Sequence, residues 1–162
     1  MGTTHARIYR LRPRRLLHHV TLRAGSADLF VFAQIFADNE FAPLNKQDFR
    51  SIIDLGGNIG LASAWFLSTF PHSKVVTIEA NPDNYALLDA NLQAYGDRAA
   101  IVRGGVWQHR TKLAVVRREN ESDAQVREAR PGDRPADIIE AWDIPSLMKR
   151  RLQLHRSIEN RH

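Results

Sequence analysis

Apolar residues in this chain fall into short runs that alternate between strand-like and helix-like spacing. The run Ser51-Ile52-Ile53-Asp54-Leu55 is nearly continuous and rich in isoleucine, which predicts a buried strand. It stops at Gly56, and an apolar helix begins near Leu61, carrying Ala62, Ala64, Trp65, Phe66 and Phe70. A second strand is predicted over Lys74-Val75-Val76-Thr77-Ile78-Glu79. The next helix is the best marked. Asn81 can cap it, Pro82 suits its first turn, Asp83 favours the positive end of its dipole, and Gly96 predicts its stop. Within it Tyr85, Leu88, Leu92 and Tyr95 recur at helical spacing, as a core-facing stripe does.

Ala99 to Val102 then reads as a short third strand with Gly105 and Val106 at its tip. Leu113 to Arg117 and Asp137 to Ile144 predict two more strands, separated by a loop rich in proline and charge over residues 128–137. Upstream, Leu29 to Phe36 is almost wholly apolar, so its period does not separate a strand from a buried helix. Strands alternating with helices, joined by right-handed crossovers, predict an α/β fold with a parallel sheet.

The richest chemistry lies between the first strand and its helix, in Asp54-Leu55-Gly56-Gly57-Asn58-Ile59-Gly60. Glycines here let the backbone approach a ligand, and the helix start offers N–H groups and a positive dipole end. The turn therefore reads as a cofactor pocket. Dinucleotide sites use G-x-G-x-x-G with an acid about 20 residues further on. Here the order is D-x-G-G-N-x-G, and Glu79 closes the neighbouring strand at that distance. Asp54 and Glu79 at adjacent strand ends read as an adenosine clamp, with Glu79 accepting both ribose hydroxyls. The plainer alternative makes Asp54 a helix cap and Glu79 a solvated surface acid.

The segments IIDLGGNIGLASAWF and VVTIEANPDNYALLDANL resemble the first and second cofactor motifs of S-adenosylmethionine-dependent methyltransferases of the FkbM type. TLRAGSADLFVFAQIFADNEF is similar to that family's lead-in, and DIIEAWDIPSLMKR to its strand and short helix before the fourth core strand. The resemblance implies a Rossmann-like class I methyltransferase sheet and O-methylation of a sugar, polyketide or related small molecule bearing a hydroxyl. It places Asp54, Gly56, Asn58 and Gly60 around the methionine end of the cofactor, with Gly57 also among the cofactor-binding residues, Glu79 on the ribose, and Asn81, Gly105 and Val106 near the adenine. No catalytic base is nameable. A dinucleotide-binding oxidoreductase and a basic nucleic-acid-binding module are the alternatives.

On this reading residues 1–20 form a basic lead and residues 21–150 the N-terminal portion of the methyltransferase domain. Residues 151–162 form an aberrant tail. The family's fourth strand is expected there, yet RLQLHRSIENRH has neither strand alternation nor a buried apolar run. One permissible set of codons for it, read one base later, gives G-F-N-C-I-D-L-L-K-I-D, the expected strand. A frameshift that truncates the enzyme is therefore expected, leaving a sheet without its fourth and later strands, its first strand as an open edge, and the chain inactive alone.

Composition narrows the classes. At 162 residues the chain suits one domain, and 43% hydrophobic with 25% charged residues is ordinary for a globular protein. There is no cysteine, hence no disulfide or thiolate metal site, as suits the cytoplasm. Seven histidines form no H-E-x-x-H pattern, so no metal site is expected. No apolar stretch of about eighteen residues predicts a membrane span. The formal charge of +5 gathers at the ends, Arg7 to Arg15 and Lys149 to Arg161, without aromatic interleaving, so it reads as a solvated basic face.

Overall fold

The computed structural model describes residues 7–116 and 125–149. The tail at 151–162, where a frameshift was expected, lies outside the described residues, as does Arg117.

Three parallel strands carry the fold: β3 (Ser51–Leu55), β4 (Lys74–Glu79) and β5 (Ala99–Arg103), side by side in the order β3-β4-β5. Asp54 pairs with Thr77 and Leu55 with Ile78, while Glu79 faces Arg103. β4 is covered on both faces, which is why it reads as a continuous apolar run. Val75 points into one cluster, with Trp65, Leu67, Phe70, Leu88 and Leu92, whereas Val76 and Ile78 belong to another with Val102, Trp142 and Leu147. Among the described residues β3 is an edge strand, paired with β4 alone, and Leu55 is exposed there.

Helices α2 (Leu61–Thr69) and α3 (Pro82–Leu92) supply most of the first cluster. Both expected starts hold, and Asn81 caps α3 by accepting the Asp83 N–H at 3.0 Å. The α-helix ends at Leu92, four residues before Gly96. A tighter 3₁₀ stretch, Gln93–Arg98, fills the gap and turns out through Gly96 at φ +59°.

An antiparallel hairpin precedes this unit: β1 (Ile8–Leu11) and β2 (Val20–Arg23). Val20 and Leu22 are fully buried in the first cluster while Thr21 and Arg23 are only half-buried, the alternation of a strand with one face on the core. The ambiguous apolar run is helical, as α1 (Asp28–Phe32) followed by a π-helical stretch, Ala33–Ala37. Asp28 opens it and is almost fully buried, its charge met by Arg23 through Nη2 at 2.9 Å and Nε at 2.9 Å.

The C-terminal strands depart from the expected parallel arrangement. β6 (Gly105–Val106), β7 (Thr111–Val116), β8 (Gln125–Glu128) and β9 (Ile138–Trp142) form a second sheet in the order β6-β9-β7-β8. Only β6 and β9 run parallel; β7 is antiparallel to both its neighbours. For β7 and β8 the reason is connection length: eight residues separate them, fewer than the dozen or so that a parallel crossover needs. The strand expected over residues 137–144 is Ile138–Trp142, because Asp143 accepts the Ser146 N–H at 2.7 Å and a helical segment begins at 144.

One buried side chain joins hairpin, helix and glycine turn. Asn91 on α3 accepts the Thr21 N–H at 2.7 Å and donates to the carbonyls of Thr21 at 3.1 Å and Ile59 at 2.8 Å. An Asn91→Ala substitution strands these buried backbone groups, so it should destabilise the fold by roughly 3 kcal/mol, read as a lower urea midpoint.

Candidate functional site

The turn after β3 is shaped by its contact with β4. Gly56 and Gly57 both donate to the Ile78 carbonyl, at 3.0 and 2.9 Å, folding the chain back over the neighbouring strand. That approach leaves no room at Gly57, where a Cβ would sit 1.9 Å from Thr77 Oγ1 and 2.9 Å from Leu88 Cδ1. Gly56 takes φ +82° with open space around it, so its freedom serves the backbone's path and exposes that backbone. Asn58 also adopts a left-handed conformation, φ +49°, which asparagine tolerates better than most residues. Gly60 starts α2 at φ +87° without a side-chain cap.

Glu79 ends β4 and reaches both adjoining turns. Its Oε2 accepts the Asn58 N–H at 2.8 Å and its Oε1 the Asn81 N–H at 2.7 Å. Burial pushes its pKa up, against the lowering effect of these backbone donors, and nearby Asp54 raises it further. A surface acid in water is thereby corrected: Glu79 is 8% exposed. Asp54 is also shifted upward by burial, opposed by the Ser63 hydroxyl, which donates to it at 2.6 Å. That bond ties the end of β3 to the first turn of α2.

These turns wall a cavity of about 440 Å³, within the range of small-molecule sites. Of the residues singled out from sequence, Gly56, Asn58, Glu79, Asn81, Gly105 and Val106 line it. Asp54, Gly57 and Gly60 stand behind the wall, shaping the turn through hydrogen bonding and packing. Gly105 does more than turn the chain, since a Cβ there would lie 2.8 Å from Leu113 Cδ1. Six further lining residues were not singled out from sequence: Leu55, Ile78, Ala80, Asn84, Gly104 and Val126. Asn84 had a signal, lying one helical turn after Asn81 on α3. Val126 had none, because it arrives on β8 from the second sheet.

The residues present fit a polar nucleoside-like ligand. Gly56 leaves backbone accessible, and Asn58 Oδ1 is buried with no hydrogen-bond partner among the described residues. Glu79 meets the backbone N–H groups of Asn58, Asn81 and Ala80, which leaves roughly one of a carboxylate's four or so acceptor positions for a ligand. No cluster of three metal-binding side chains occurs among the described residues, and no described helix is long and apolar enough to cross a membrane.

No protein-family model matches the chain. A stretch of 63 residues, 39% of the chain, is 33% identical to "Methyltransferase sdnD" of Sordaria araneosa. It spans about a quarter, 24%, of that protein's length. The similarity supports relationship to a methyltransferase at that general level.

The Asp54 shift has a testable consequence. Its folded pKa lies above the ordinary 3.8, so its stabilising contribution is present at low pH and lost as pH rises through the shifted value. Asp54→Asn keeps an acceptor for Ser63 and removes the buried charge. Its melting temperature should exceed that of the unsubstituted protein by a few degrees at neutral pH, with the gain fading as pH falls toward 3.8.

Proposed function

We propose that this chain derives from an S-adenosylmethionine-dependent O-methyltransferase of the FkbM type, acting on a hydroxyl of a sugar, polyketide or similar small molecule. The observation that carries the reading is Glu79. It stands at the tip of the central parallel strand, on the wall of the cavity beside Gly56, with acceptor capacity left over. A hydroxyl of a nucleoside's vicinal diol offers an O–H donor that suits the remaining position. The similarity to a methyltransferase supports this reading over the dinucleotide alternative.

In this reading the glycine turn receives the amino-acid end of the cofactor, with Gly56 leaving room and Asn58 Oδ1 free to accept from its ammonium group. Glu79 accepts from the ribose. Asn81, Gly105 and Val106 border the adenine. The cofactor, when bound, supplies an electrophilic methyl group on sulfur. The protein's part is to hold an acceptor oxygen in line with that methyl, and positioning of this kind accounts for much of the rate in such transfers.

Calorimetric titration of the full chain with S-adenosylhomocysteine tests the proposal. Saturable heat is expected, and Glu79→Ala should weaken binding tenfold or more, the scale of a lost charge-assisted hydrogen bond. Heat from NAD and none from S-adenosylhomocysteine would replace methyl transfer with the oxidoreductase reading.

A further inference from the structure

The cavity wall holds an amide whose orientation is set from outside the cavity. Asn84 Oδ1 accepts from Arg23 Nη2 at 2.7 Å. A guanidinium has donors only, so the amide oxygen must face Arg23 and the NH₂ group must face elsewhere. Arg23 is itself held fast. Its Nε and backbone N–H each donate to Asp28 Oδ2 at 2.9 Å, and its Nη2 to Asp28 Oδ1 at 2.9 Å. Asp28 is 1% exposed and this is a forked, charge-assisted pairing, which gives geometric specificity beyond that of a single bond. The chain Asp28–Arg23–Asn84 thus runs from the hairpin and α1 to α3, and only its last member lines the cavity.

Glu79 beside it accepts hydrogen bonds and cannot donate one while ionised. A ribose and its base carry acceptor atoms as well as hydroxyl donors, so an acid alone recognises half of that chemistry. From this complementarity we infer that Asn84, oriented by Arg23, donates its amide N–H to the nucleoside part of the ligand, and that the N-terminal hairpin thereby belongs to the binding site. The inference rests on the proposed function, since the nucleoside is that of the proposed cofactor.

Two substitutions separate this role from a purely structural one. Asn84→Asp keeps an acceptor for Arg23, as an ion pair, but removes the donor. Asn84→Ala removes both and adds no charge. S-adenosylhomocysteine affinity by calorimetry should fall about tenfold in each. The melting temperature should hold or rise in Asn84→Asp and drop in Asn84→Ala. Arg23→Met frees the amide to rotate and should weaken binding by a smaller factor. Affinity unchanged in either Asn84 variant overturns the inference while the methyltransferase reading stands. Absence of binding by the unsubstituted chain overturns both.

Discussion

Where parallel strands end, the backbone segments that leave them lose their ladder partners, and something must hold those segments at fixed spacing if they are to form a wall. Glu79 does this here. One oxygen takes the N–H of Asn58 from the glycine turn, and the other takes the N–H of Asn81 at the start of α3. Bonds to an ionised acceptor are among the stronger ones available. The Ile78 carbonyl supports the same junction from below by accepting from Gly56 and Gly57. Remove the carboxylate and the two turns are no longer referenced to one another, whatever the rest of the sheet does.

That arrangement has an energetic cost. Burial raises the pKa of Glu79 and of Asp54, and the nearby charge of Asp54 raises that of Glu79 further. The fold meets the cost locally, through the Ser63 hydroxyl on Asp54 and the backbone donors on Glu79. Of the two acids at neighbouring strand tips, Glu79 faces the cavity and Asp54 stands behind its wall. Strain retained beside a cavity is more readily explained by function than by stability.

The N-terminal hairpin is bound to this centre by two independent polar links. Asn91 connects Thr21 to Ile59 of the glycine turn, and Arg23 connects Asp28 to Asn84 on the cavity wall. Apolar contacts of Val20 and Leu22 with the α2 and α3 cluster hold the same interface. Segments distant in sequence are therefore committed together, and the cavity wall is braced by a piece of chain outside the two cofactor-motif segments.

Local pattern determined a good deal. The continuous apolar runs at Ser51–Leu55 and Lys74–Glu79, the Asn-Pro start of α3 and the glycine turn are all found where the sequence places them. Each depends on residues adjacent in the chain, through backbone sterics, capping and burial period. So six of the residues named for the site could be read in advance, since they cluster at strand ends that periodicity locates. The helical state of the Leu29–Phe36 run, the antiparallel course of β7, the seat of Val126 and the link from Arg23 to Asn84 were decided by tertiary structure alone. Those features depend on which distant surfaces meet and in what register, and side-chain spacing along one segment carries no record of the partner it will face.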